Sequence, residues 1–180
     1  MRHLIYHVAM TLDGFIAKAD GSVPGFAPTG AHVDDYKTNL ASYDAVVMGR
    51  ATYEIGYVYG MKPGDKPYGD KQHYIFSESL QIPESAGLKL VRGNTLAHID
   101  AIKQAPGGDI YLCGGGALAG YLLAHDRIDQ LKIKLSPLVY GSGIRLFASD
   151  DLRKQFEFVS VKTYDSGVLL LDYRRPCSLV

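Results

Sequence analysis

Short apolar runs closed by glycine-rich breaks dominate the chain. Leu4 to Met10 is the first run, broken by Thr11-Leu12-Asp13-Gly14 and resumed by Phe15-Ile16-Ala17. Ala45 to Met48, His73 to Phe76, Leu88 to Val91 and Asp109 to Cys113 have the length and content of buried strands. Helical spacing appears between them. Val33, Tyr36 and Leu40 predict a helix over His32 to Ser42 with those three residues facing the core. A short helix is expected from Thr52. Asn94 or Thr95 caps a third helix, whose apolar positions are Leu96, Ile99 and Ile102. Gly21 to Gly30 and Tyr57 to Gly69 carry the breakers of loops.

The C-terminal third reads differently. Ile128 to Val139 predicts one long strand, followed by a Tyr140-Gly141-Ser142-Gly143 turn. Gln155 to Tyr164 and Val168 to Arg175 predict a hairpin around Asp165-Ser166-Gly167. Alternating strands and helices followed by a β-rich tail predict an α/β fold. Its central sheet is mostly parallel, with antiparallel C-terminal strands and flanking helices, in one domain over residues 1–180. Val168-Leu169-Leu170-Leu171 does not alternate, so both of its faces should be covered. A second copy of the chain supplies that cover in a two-fold homodimer, and the Arg145 to Arg153 segment supplies it within one chain.

Asp109-Ile110-Tyr111-Leu112-Cys113-Gly114-Gly115-Gly116-Ala117-Leu118 is the most specific stretch. An apolar strand ends in three glycines and leads into a helix start. Such a turn lets a ligand approach backbone N–H groups closely, and the helix N-terminus favours an anion, usually a phosphate. A glycine turn made only for packing has the same pattern. The match to G-x-G-x-x-G is blurred and lies late in the chain, so a phosphate loop outside the Rossmann fold fits better.

Composition narrows the function classes. The 180 residues include 19 basic and 19 acidic side chains, with no basic block, which argues against nucleic-acid binding through a broad electrostatic footprint. No apolar run approaches the roughly 18 residues of a membrane span. Met1 to His7 is too short and polar for a secretory signal. Cys113 and Cys177 have neither metal-ligand spacing nor the density of a disulfide scaffold, so a cytoplasmic, reduced protein without a metal site is expected.

Four segments fall in order: Val8 to Ala17 around Thr11-Leu12-Asp13-Gly14, Val46 to Glu54 around Gly49-Arg50, Tyr74 to Ser77, and Ile110 to Gly116. Together with Ser136 to Phe147 they resemble the dihydrofolate reductase-like superfamily. The nearest branch is the C-terminal reductase domain of the riboflavin-biosynthesis deaminase-reductase and its free-standing small relatives. The resemblance implies an NADPH-dependent reductase that passes hydride to a small heterocycle, pterin- or pyrimidine-like. It assigns Ala9 to the nicotinamide carboxamide and Ile16 to the nicotinamide and ribose. Gly49, Arg50 and Thr52 go to the phosphates, and Ser77 to the adenosine-side phosphate. Gly114, Gly115 and Gly116 go to the pyrophosphate, with Ala117 and Leu118 extending that contact. The resemblance also implies a cis Gly114-Gly115 peptide and a dimer through the C-terminal end.

Glu78 departs from the pattern, because relatives often carry a basic residue there. It would repel a 2′-phosphate unless turned away, whereas Arg50 and Lys71 favour one. The substrate side offers three candidate catalytic carboxylates. Asp13 is equally a turn residue, and Asp34 and Asp35 are equally first-turn helix charges. Thr52-Tyr53-Glu54-Ile55-Gly56 replaces the stretch that the pathway reductase carries after its strand-end glycine, which argues against the pathway's pyrimidine intermediate as substrate. Two other readings stay open: a nucleotide-binding module without turnover, and a thiol enzyme using Cys113 at its strand end.

Overall fold

The computed structural model describes residues 1–83, 85–149 and 152–176; Cys177 lies outside them. In chain order the elements are β1 (Leu4–Thr11), β2 (Phe15–Ala17), α1 (Ala31–Ala41), β3 (Ala45–Gly49), α2 (Arg50–Val58), β4 (Gln72–Phe76) and β5 (Leu88–Val91). Then follow α3 (Thr95–Gln104), β6 (Ile110–Gly114), α4 (Gly116–Ala124), β7 (Gln130–Ser136), β8 (Ile144–Arg145), β9 (Glu157–Thr163) and β10 (Leu169–Arg174). Eight strands form one sheet in the order β5-β4-β3-β6-β1-β7-β10-β9, and β2 pairs with β8 separately. Every neighbour pair from β5 to β7 is parallel, while β10 runs antiparallel to both β7 and β9. The α/β class and the antiparallel tail thus match the expectation from the hydrophobic pattern.

Alternation across the sheet makes two cores. Leu4, Tyr6, Val47, Leu112 and Ile133 point to one face, under α3 and α4, with Ile99, Ile102 and Leu122. Ile5, Val46, Met48 and Tyr111 point to the other, with Tyr43 and Tyr53; Tyr36, Leu40 and Tyr68 pack against them. Successive strand side chains take opposite faces, which explains the split. Asn94 caps α3 as expected, its side chain accepting from the Ala97 N–H at 3.1 Å.

Several boundaries differ from the sequence reading. Helix α2 starts at Arg50 and continues through Tyr57 and Val58. Strand β7 stops at Ser136, because Pro137 has no N–H to offer a ladder. On α1 the buried residue is His32 instead of Val33, so the inner stripe runs His32, Tyr36, Asn39-Leu40. Of the C-terminal hairpin, Val168 is buried and Leu169 to Leu171 are half-buried, but β9 is exposed along its whole length.

Candidate cofactor cleft

The glycine segment forms as expected: strand β6, a turn, then α4. Gly114 has φ 131°, a conformation suited to glycine, and the Gly114-Gly115 peptide is cis. Gly115 is the N-cap of α4 and Gly49 the N-cap of α2, and neither helix start is closed by a side-chain cap. Because β3 and β6 are parallel neighbours, both helix starts emerge at the same end of the sheet. Between them lies a cleft of about 610 Å³. Its lining includes Ile16, Gly49, Arg50, Thr52, Gly114, Gly115, Gly116, Ala117 and Leu118 from the sequence-derived set.

Two of the lining glycines, Gly115 and Gly116, sit close against their neighbours. A β-carbon on Gly115 would stand 3.0 Å from Thr52 Oγ1. One on Gly116 would stand 2.1 Å from the Arg145 carbonyl oxygen, so that glycine is required for packing the 144–148 segment against α4. Arg50 is held beside the opening by Glu54, with Nε to Oε2 at 2.9 Å, and by Ser79, with a guanidinium N–H to Oγ at 2.8 Å.

Ala9, Ser77, Glu78 and Lys71 are not among the lining residues of this cleft. Ala9 lies on β1 opposite Lys134 and is not part of the cleft lining. Ser77 turns its oxygen inward to accept from the Leu80 N–H at 3.0 Å. Glu78 is turned onto the Gly93 N–H at 2.8 Å. Lys71 cannot support a phosphate beside Arg50: it precedes β4 at the far end of the sheet and donates to the Tyr43 carbonyl at 2.5 Å. Sequence proximity to Ser77 misleads here, because a whole strand separates the two.

None of the three carboxylates lines the cleft. Asp13 accepts from Thr11 Oγ1 at 2.6 Å and from the N–H groups of Tyr140 and Gly141 at 3.1 and 2.7 Å. The Thr11 hydroxyl, then those amides, hold its carboxyl down at about 2. Asp34 is exposed, 3.7 Å from Lys37. Asp35 accepts from Lys162 and, at 2.6 Å, from Tyr164 Oη, which tie it to the C-terminal hairpin and lower its pKa.

Cys113 lines the cleft, but its thiol is pushed up to about 12 by burial, against a hydrogen bond from Tyr68 that pulls the other way. An activated thiolate needs the opposite shift, so these surroundings argue against the thiol-enzyme reading. Behind Cys113 sits a ring of phenols. Tyr36 and Tyr111 share a hydrogen bond at 2.9 Å, and Tyr43 stacks on Tyr111 at 5.4 Å.

Sequence reasoning missed one wall of the cleft: Ala17, Ala19, Asp20 and Gly21, with Ile55 and Ile144. The Asp20-Gly21 pair was the available signal. Gly21 takes φ 83°, and a β-carbon there would reach within 2.6 Å of Ile55 Cδ1, so this turn leans on α2. Among the described residues no group of three or more His, Cys, Asp or Glu side chains is placed to hold a metal ion, and no helix is long and apolar enough to cross a membrane.

Comparison with known proteins gives the family and the fold. The sequence pattern of the RibD C-terminal domain matches residues 2–170. The uncharacterized protein YwjB of Bacillus subtilis (strain 168) is 33% identical over 170 residues, covering 94% of this chain and 96% of that protein. A putative riboflavin biosynthesis protein from Shewanella sp. PV-4 superposes with a TM-score of 0.77 at 21% identity, covering 98% of this chain and all of the other. Dihydrofolate reductase from Enterococcus faecalis, solved with NADP(H), superposes with a TM-score of 0.68 at 17% identity, covering 97% of each chain. The chain belongs to the RibD C-terminal domain family, with a dihydrofolate reductase-like fold.

Proposed function

We propose that the protein is an NADPH-dependent reductase that reduces a small heterocycle, pterin- or pyrimidine-like. One observation carries this reading: two uncapped helix starts, at Gly49 and Gly115, meet with Arg50 and Thr52 on one cleft. Free N–H groups and a guanidinium are what a dinucleotide diphosphate and a 2′-phosphate require. The glycines fit the group, because a β-carbon at Gly115 would occupy the space beside Thr52. Ile16 and Leu118 give apolar surface for a ring and ribose, Ala9 offers backbone groups at the nicotinamide end, and Ser77 stands by the adenosine-side phosphate. The cofactor, when bound, supplies the hydride, so the chain's residues bind, orient and exclude water.

The protein is further proposed to work in the cytoplasm as a homodimer. The exposed apolar side chains Phe158, Val159 and Val161 on β9 support the dimer.

A non-catalytic nucleotide-binding module is the second reading. It is favoured by the engagement of Asp13 and Asp35 outside the cleft. Titrating the protein into NADPH and following cofactor fluorescence tests the shared part. Adding dihydrofolate, or menadione as a quinone, then separates the two. Oxidation of NADPH is expected for the reductase. Tight binding with no oxidation of NADPH by either acceptor favours the module.

A further inference from the structure

Two residues that line the cleft carry a formal charge, Arg50 and Asp20. Arg50 opens α2, beside Thr52 and the uncapped amides of that helix start. Asp20 is the one acid among the described residues of the lining, and it stands on the wall made by Ala17, Ala19 and Gly21.

The turn that presents Asp20 is held by its own backbone. The Lys18 N–H donates to the Ser22 carbonyl at 2.8 Å, and the Gly21 N–H donates to the Lys18 carbonyl at 2.9 Å. Asp20 Oδ1 accepts from the Ser22 N–H at 2.9 Å, as a turn aspartate commonly does. The Ser22 hydroxyl, then its amide, lower the carboxyl's pKa, so the group is ionised at neutral pH. Lys18 lends the least to that shift. Its ammonium donates to the Tyr140 carbonyl at 3.0 Å and lies 4.4 Å from the centre of the Tyr140 ring. Asp20 has no ion pair among the described residues.

The position of this wall along the cleft gives the charge a meaning. The wall meets α2 at Ile55, where a β-carbon on Gly21 would come within 2.6 Å of Cδ1. Ile55 is five residues after Arg50, about 7.5 Å along the helix at a rise of about 1.5 Å per residue. Asp20 therefore borders the part of the cleft beyond the helix start that would take the phosphates. Ile16, Ala17, Ile55 and Ile144 supply apolar surface to the lining. A pocket of this make-up orients its ligand through the few polar groups it has. A carboxylate pairs with N–H donors and repels anions.

We propose that Asp20 is a specificity-determining residue that accepts from an amino group or ring N–H of the acceptor. The cleft then takes a ring that presents N–H donors at this wall, neutral or cationic, and turns away a ring that presents an acid there. The proposal rests on the reductase reading for which part of the cleft holds the acceptor.

Three flat probes of one shape test it: benzamidine, benzamide and benzoate, which are cationic, neutral and anionic. Each is titrated into the full chain with and without NADP⁺, and the amide resonances of Asp20, Gly21 and Ile55 are followed by NMR. Benzamidine is expected to bind at least fivefold more tightly than benzamide, with benzoate weakest. Asp20→Asn removes the charge and keeps an oxygen for the Ser22 amide. It should bring benzamidine to the level of benzamide, with an unchanged melting temperature and NADP⁺ affinity within twofold. Asp20→Glu should keep the order. Equal or undetectable binding of the three probes overturns the proposal, as does a benzamidine preference that survives in Asp20→Asn. Binding that leaves the three amides unmoved overturns it too, and so does a fall of all three affinities together with the melting temperature. Failure of the wild type to bind NADP⁺ overturns the reductase reading instead, and the titration without nucleotide still reads the aspartate.

Discussion

Gly115 and Thr52 close the cleft floor between them: a β-carbon on the glycine would stand 3.0 Å from the threonine Oγ1. The two residues belong to different helix starts, α4 and α2, so a side chain at position 115 would press on the start of α2 between the two sets of free amides. Gly115→Val should therefore weaken NADPH binding at least tenfold while the chain remains folded. Fluorescence titration with parallel circular dichroism checks it. Unchanged affinity in the folded variant would remove the glycine turn from the nucleotide site.

Arg50 should discriminate between the two nicotinamide cofactors. Arg50→Ala is expected to cost NADPH about 1–2 kcal/mol more than NADH, the range for a charge-assisted bond at a half-exposed side chain. Glu54→Gln should act in the opposite sense, because the carboxylate now competes for the guanidinium. Equal losses for both cofactors in Arg50→Ala would assign Arg50 to the shared diphosphate or to structure.

Asp13 should make stability acid-sensitive. Its carboxyl is depressed to about 2 in the folded chain, against an ordinary value of about 3.9. The contribution is complete above about pH 4 and is lost as pH falls through 2. Asp13→Asn should melt at a lower temperature at pH 7 and show a flatter decline between pH 4 and 2. Parallel pH profiles for the two proteins would contradict this role.

Strand β9 should mediate self-association. Phe158 and Val161 are exposed in the single chain. Light scattering at micromolar concentration is expected to give about twice the 19.7 kDa chain mass. The double variant Phe158→Glu, Val161→Lys should give the mass of one chain. A wild-type value near 19.7 kDa would rule out the dimer.

Cys113 should resist alkylation. With Cys177 replaced by serine, iodoacetamide at pH 8 is expected to leave the native protein unlabelled, since the thiol is held near 12. Rapid labelling would place the sulfur in a different environment.

These experiments divide along the line between local and distant information. The β6–α4 turn was legible because an apolar run, three glycines and a small-residue helix stand together in sequence. The carboxylate roles were not. Asp13 meets Gly141 across 128 positions, and Asp35 meets Tyr164 across 129. A turn residue and a first-turn helix acid look the same locally whether they face a ligand or a distant loop. The β2–β8 pairing was hidden for a similar reason, being three residues against two.

The central place of β1 has a consequence for how the chain comes together. Its partners are β6, beginning at Ile110, and β7, beginning at Gln130, both more than a hundred residues later. During synthesis the first strand therefore emerges with neither neighbour available, and its apolar residues Leu4, Ile5 and Tyr6 must wait. Long-range pairing of this kind slows folding and prolongs the exposure of an unpaired strand. A nascent chain stalled before Ile110 is accordingly the form most prone to aggregate or to require a chaperone.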